Sequence, residues 1–279
     1  MNVGASIFFT DYSITPAELG IAMEERGFDS VWAAEHSHIP VPRKTRADQE
    51  LGKRYYDVMD PFVTLTAVAC ATKKLKIATG IALVIQRDTI QTAKLVASID
   101  QVSGGRFIFG IGGGWNQEEI ENHNTVFATR MQKMREQIEA MKEIWTKSKP
   151  EYHGDIVEFG TMMTWPKPVQ KPYPPIILGG AFPWAARRAV RYGDGWYPNA
   201  SSGDPQQYIP AFREMSQEAG RDPRSLSLRL GGAPDDLDAL KRYRDMGVDA
   251  VNVTLMSDKR DDILPVLDRW AAYIPQLRG

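Results

Sequence analysis

Phe107-Ile108-Phe109-Gly110-Ile111-Gly112-Gly113-Gly114-Trp115-Asn116 passes from a short apolar run into a glycine cluster and on toward helical sequence. An apolar run this short, bounded by glycine, predicts a strand over Arg106–Ile111. Ahead of it, Asp88–Val102 carries Ile90, Ala93, Val96 and Ala97 at helical spacing. Helix, strand, glycine turn and helix form one unit of a parallel sheet, because parallel neighbours need a crossover connection.

The unit recurs on both sides. Val3–Phe9 reads as a strand, and Thr15, with Pro16 and Glu18 behind it, caps a helix that stops at Gly27. Phe28–Ala34 and Leu75–Ile85 read as strands two and three, with helix Pro61–Ala71 between them. Arg130–Trp145 is an amphipathic helix with Met134, Ile138, Met141 and Trp145 on one side. Strands at Ile176–Leu178, Gly195–Pro198, Leu226–Leu230 and Ala250–Leu255 alternate with helices at Pro183–Arg191, Pro205–Ala219, Pro234–Met246 and Asp261–Ile274. Eight alternations in 279 residues predict an α/β fold, a single (β/α)8 TIM barrel domain over 1–279. Two stretches break the rhythm: a long loop, Ile39–Asp60, after strand two, and a hairpin insertion, Glu151–Pro175, before strand five. The first lies at a strand's carboxyl end, where barrels place their chemistry.

Composition narrows the partners. Lys+Arg is 34 and Asp+Glu 35, a formal net charge of -1, without the basic excess of a nucleic-acid binder. The strongest apolar run, Ile77–Ile85, is far short of the roughly 20 residues that span a bilayer. Cys70 is the single cysteine, so no internal disulfide forms, and Met1–Gly4 lacks the features of a secretory signal. The expectation is a cytoplasmic protein acting on a small molecule, with no membrane or nucleic-acid partner.

Several residues are candidates for chemistry. Glycines at Gly112 and Gly114 let a ligand approach the backbone and leave N–H groups for an anion, or simply make a tight turn. The spacing is not the dinucleotide fingerprint. Gly179-Gly180 followed by Pro183 is either a phosphate seat at a helix start or an ordinary turn. Arg130 opens a helix and can pair with the same phosphate. His36 and His38 have the spacing of metal ligands. Only His123 and His153 remain in the chain and no acidic cluster accompanies them, so we expect no metal. A general acid or base suits His36 better. Arg43, Lys44, Arg46, Lys53 and Arg54 in the long loop either hold an acidic ligand tail or are solvated. Trp32 and Tyr56, with Tyr55, either wall an apolar substrate pocket or pack the rim. Without a Gly-x-Ser-x-Gly elbow, and with Cys70 inside a helical segment, nucleophilic hydrolysis has no support.

Taken together, the chain resembles the luciferase-like monooxygenases, closest to the branch using the deazaflavin coenzyme F420. The resemblance covers nearly the whole chain. It rests on Ser30-Val31-Trp32 through Glu35-His36, Ala78-Thr79-Gly80 with Gln86-Arg87, and Asp100–Arg106. Gly112–Asn116, Leu178-Gly179-Gly180 and Gly193-Asp194-Gly195-Trp196 follow in order. It implies a barrel with the redox ring at its carboxyl rim and hydride exchange with a small organic substrate, or, with FMN, oxygen-dependent monooxygenation. It implies that His36 stands by the ring and assists proton movement. The turn Gly80-Ile81-Ala82 would bulge against the ring, often through a non-prolyl cis peptide. Arg130, Gly179 and Gly180 would hold the phosphate, with Asn116 by the ring or its ribityl chain. A homodimer is implied as well. The sequence departs from some relatives at Gly112–Gly114, where they carry an acid or arginine, which leaves a second catalytic acid unassigned.

Overall fold

Thr15 shows how local chemistry sets the elements. Its hydroxyl accepts from the Glu18 amide while the Glu18 carboxylate accepts from the Thr15 amide, the reciprocal cap expected from sequence. Asp60, Asp88, Asp204 and Asp236 cap four later helices in the same sense. The structure, a computed structural model, describes residues 1–278.

The elements follow in order: β1 (Asn2–Ile7), α1 (Pro16–Glu25), β2 (Ser30–Ala33), α2 (Pro61–Ala71), β3 (Lys76–Thr79), α3 (Thr89–Ser103), β4 (Phe107–Ile111), α4 (Gln117–Asn122) and α5 (Arg130–Thr146). Then come β5 (Ile176–Gly179), α6 (Trp184–Tyr192), β6 (Gly195–Tyr197), α7 (Pro205–Glu218), β7 (Ser227–Gly231), α8 (Leu237–Asp245), β8 (Ala250–Thr254), α9 (Arg260–Ala271) and α10 (Ile274–Leu277). The eight strands are parallel and close into a barrel, with β1 paired to β2 on one side and to β8 on the other. The predicted fold is therefore the observed one.

Side chains alternate as a pleated strand requires. Trp32, Ala78, Ile108 and Ile177 form one buried cluster inside the barrel. Their neighbours Val31, Ile77, Phe107 and Ile176 belong to the larger core between sheet and helices. The Trp32 indole is matched by glycine just past the end of β3 and on β4. A Cβ on Gly80 would lie 2.8 Å from that of Trp32, and one on Gly110 would meet the Thr79 carbonyl at 2.0 Å. No other residue fits there without moving backbone.

Some boundaries differ from expectation. Strand three was expected to run to Ile85, but β3 ends at Thr79. Beyond it the Gly80–Ile81 peptide is cis, Ala82 makes an isolated bridge with Ile111, and Val84–Gln86 forms a 3-10 turn. Ala82, Leu83, Val84 and Ile85 are all buried beneath neighbouring elements, and an apolar run looks alike whether it is pleated or folded over a barrel rim. The expected last helix divides into α9 and α10. Pro183 caps α6 instead of opening it. The insertion before β5 does contain a hairpin, Tyr152–His153 against Glu158–Phe159. Its trailing end is tied to the amino end of β4, where Gln170 donates to the Phe107 carbonyl at 2.7 Å and to Asp100. Among the described residues no helix is long and apolar enough to cross a membrane.

Candidate active site

Every barrel strand delivers residues to one cavity of about 770 Å³ at its carboxyl end. Ser6 to Phe8 follow from β1, Ala34 from β2, Gly80 and Ile81 from β3, and Gly113 to Trp115 from β4. Gly179 to Ala181 come from β5, Tyr197 to Asn199 from β6, Gly231 and Gly232 from β7, and Thr254 from β8. The long loop after β2 adds Arg46, Arg54 and Tyr55, while α5 and α6 add Arg130, Met131, Trp184 and Arg188. Glycine at so many strand ends leaves bare backbone there, which makes room for a ligand.

The cavity is strongly cationic. Among the described residues four arginines line it and no carboxylate does. Arg130 stacks 3.6 Å from the Phe127 ring centre, and its donors reach the carbonyls of Gly113 (3.1 Å) and Phe127 (2.8 Å). The Nε of Arg188 is buried and has no partner among the described residues. Burial disfavours the charge on both guanidiniums, and Arg188 further depresses Arg130. Two partly desolvated, mutually repelling cations thus share one corner of the cavity. The backbone contributes as well, since the amides of Gly113, Gly114, Ala181 and Trp184 have no hydrogen-bond acceptor among the described residues. The amide of Gly180 differs, donating weakly to the Tyr197 carbonyl at 3.3 Å. Trp196 is core, and its indole N–H holds the Gly180 carbonyl at 2.9 Å.

His36 lies just beyond β2, with its side chain 7% exposed. It is not part of the cavity surface. Its ring sits behind Phe8, Tyr55 and Trp115, at centroid distances of 6.4, 5.5 and 5.7 Å, and those three rings line the cavity. Nδ1 is 2.8 Å from Oε2 of Glu119 in α4, while Nε2 has no partner among the described residues. Glu119 is wholly buried. Its other oxygen accepts from the Ser37 amide at 2.9 Å, and Asn116 Nδ2 approaches Oε2 at 3.4 Å. Burial pushes the Glu119 carboxyl up, but the hydrogen bond and charge of His36, with the Ser37 amide, outweigh it and hold it low. The Ser37 hydroxyl also lies 2.7 Å from His123 Nε2 and 2.9 Å from His38 Nδ1. Two of the four histidines, His38 and His123, thus meet at the Ser37 hydroxyl.

The remaining sequence candidates separate by position. Gly80, Ile81, Gly114, Arg130, Gly179 and Gly180 surround the cavity. Ala82, Gly112 and Asn116 lie just beneath its surface. Gly112 sits under the Ile81 side chain, and the Asn116 Oδ1 is buried without a partner. Two expectations are corrected. Trp32 is fully buried inside the barrel, its indole N–H on Ser30 at 3.0 Å, below the cavity floor. Tyr56 is 54% exposed and lines a separate hollow with Ile39, Val41 and Leu51. Tyr55, its neighbour, faces the cavity instead. Glu119 and Arg188 were not singled out from sequence; the visible signal for Glu119 was a carboxylate on the apolar side of a short helix beside Ile120. Among the described residues no group of three or more His, Cys, Asp or Glu is placed to hold a metal.

The sequence comparisons say to which family this barrel, with its cationic and glycine-rich cavity, belongs. The profile of the luciferase-like monooxygenase family matches residues 17–244, and the chain belongs to that family. An uncharacterized protein of Mycobacterium tuberculosis H37Rv is 35% identical over 98% of this chain and 99% of its own length. The F420-dependent hydroxymycolic acid dehydrogenase of that organism is 28% identical over 80% of this chain and 58% of its own. Among solved structures, a Streptomyces bottropensis monooxygenase superimposes over the whole of both chains, with a TM-score of 0.81 at 17% identity, a likeness of fold. Matching relatives include F420-dependent dehydrogenases and FMN-dependent monooxygenases.

Proposed function

We propose that this chain is an oxidoreductase that transfers a hydride between coenzyme F420 and a small organic substrate. The observation that carries the proposal is the charge of the cavity: Arg46, Arg54, Arg130 and Arg188 face it without a lining carboxylate. That field suits a ligand with more negative charge than a single phosphate. The residues present fit such a group, since Arg188 Nε is a buried donor without a partner beside unpaired amides of Gly113 and Ala181.

When bound, the deazaflavin supplies hydride exchange at one ring carbon. The protein's own residues do the rest. Arg130, Arg188 and the amides around Gly113, Gly114 and Ala181 bind the phosphate. Ile81, Met131 and the Gly80 backbone offer an apolar face to the ring. Phe8, Tyr55 and Trp115 exclude water from the substrate side. Glu119 orients His36 through Nδ1, which leaves Nε2 as the nitrogen that takes up or delivers the coupled proton. On the family resemblance we take the enzyme to work as a homodimer, and on its single cysteine to work in a reducing cytoplasm.

A second reading keeps the site and replaces the deazaflavin with FMN and oxygen. The Arg130–Arg188 corner favours it to the extent that a terminal phosphate fits there equally well. Fluorescence titration of the protein with both cofactors separates the two. We expect tighter F420 binding, and tighter FMN binding would overturn the choice.

A further inference from the structure

The cavity does not end at Arg188. Across the groove between α5 and α6 lies a second hollow of about 520 Å³, which shares Met131, Trp184 and Arg188 with the cavity. Its walls carry Arg135, Arg187, Arg188 and Arg191. Arg187 and Arg191 are one helical turn apart, so they project from the same face of α6. Arg187 rests 5.1 Å from the ring centre of the exposed Trp184. Arg135 is loosely paired with Glu136 (3.6 Å) and Glu139 (4.0 Å). The three α6 arginines of the groove have no acid within ion-pair distance among the described residues.

Tyr192 adds a second, independent observation. It lines the same hollow, is 7% exposed, and its hydroxyl is buried with no hydrogen-bond partner among the described residues. Burial pushes that hydroxyl up to about 12, opposed by Arg188, Arg191 and Arg135, so at neutral pH it is a donor. Glu139 is the acid that faces it. An unpaired phenol and an unpaired guanidinium Nε, both buried and both lining one groove, are donors waiting for acceptor oxygens.

We propose that the α5–α6 groove is a second anion subsite, taking carboxylate or phosphate groups that the bound ligand carries beyond the phosphate at the Arg130–Arg188 corner. This rests on the cofactor-binding reading of the main cavity and extends it. The ligand would leave the cavity past Trp184 and lay an anionic chain along α6. Arg187 and Arg191 would meet that chain from the solvent side, with Arg188 and Tyr192 beneath it.

Three ligands test this: F420 with its oligoglutamate tail, the same deazaflavin ending at the phosphate, and tetra-γ-glutamate alone. Affinities of the first two are read by fluorescence and of the third by calorimetry, in the native protein, in Arg187→Gln/Arg191→Gln and in Tyr192→Phe. The exposed arginines are replaced without disturbing the core. We expect the tailed deazaflavin to bind about tenfold tighter than the truncated one in the native protein. That advantage should be lost in the double variant and reduced in Tyr192→Phe, with binding of the truncated form unchanged. Equal affinities in the native protein, or an advantage that survives in the double variant, overturn the groove. Binding of neither deazaflavin instead removes the cofactor assignment. The groove is then judged by tetra-γ-glutamate: saturable binding lost in the double variant supports it, and absence of binding overturns it.

Discussion

Oxygen Oε2 of Glu119 lies 2.8 Å from Nδ1 of His36, two residues 83 positions apart, with the carboxylate wholly buried and the imidazole nearly so. A carboxylate that fixes one ring nitrogen settles which nitrogen faces the substrate and steadies the imidazolium when it forms.

His36→Ala should therefore lower turnover by about 10²-fold or more while cofactor affinity holds, since a positioned acid or base typically contributes that much. Glu119→Gln should fall between the variant and the native enzyme. Steady-state kinetics beside cofactor titration check this; equal turnover in His36→Ala and the native protein would remove the histidine from the reaction.

The same pair has a stability consequence. Glu119 is held below the ordinary carboxylate range in the folded chain. A depressed folded value stabilises above the unfolded value of about 4.3 and is lost as the pH falls through the folded one. Urea unfolding at pH 7 should show Glu119→Gln less stable than the native protein. The gap should narrow as the pH is taken below 4.3.

At the anion corner, desolvation and mutual repulsion penalise folding in the absence of a ligand. Arg188→Gln should raise the thermal midpoint of the ligand-free protein. It should also weaken binding of a phosphate-bearing cofactor by about ten- to a hundredfold, the loss of a charged hydrogen bond worth about 1.5–3 kcal/mol. Scanning calorimetry and titration at two salt concentrations read both effects, and a lowered midpoint without cofactor would contradict the strain.

Trp32 and Tyr56 should behave oppositely to a pocket pair. Trp32→Ala opens a void inside the barrel and should cost about 3–5 kcal/mol in chemical denaturation. Tyr56→Ala, at a half-exposed ring, should stay within about 0.5 kcal/mol. A change in cofactor affinity for Tyr56→Ala, with stability intact, would return that ring to the site.

Glu118 pins the long loop. Its Oε1 accepts from the Lys44 amide at 2.7 Å and the Thr45 amide at 3.0 Å. Hydrogen bonding from the Thr45 side chain, with those amides, takes its pKa down to about 2. The anchor should then hold at neutral pH and give way only on acidification toward that value. Glu118→Ala should expose Arg43, Lys44 and Arg46 to trypsin, with faster nicking in the loop than in the native chain.

The barrel, most helix starts and a part of the cavity's rim, the glycines after strands, were legible in the sequence. Alternation of apolar runs, caps such as Thr15 and Asp88, and glycines after strands act over a few residues, and such short-range signals are written in order along the chain. It could not determine which side of the rim each residue faces. Whether Tyr55 or Tyr56 reaches the cavity depends on how a 22-residue loop, Ile39–Asp60, folds back over the rim. Whether Trp32 points into the barrel or the pocket depends on its height along β2. Only the closed barrel brings Glu119 to His36 and draws Arg46, Arg54, Arg130 and Arg188 from the long loop, α5 and α6 onto one cavity. Those juxtapositions come from packing between distant segments, for which no local pattern exists.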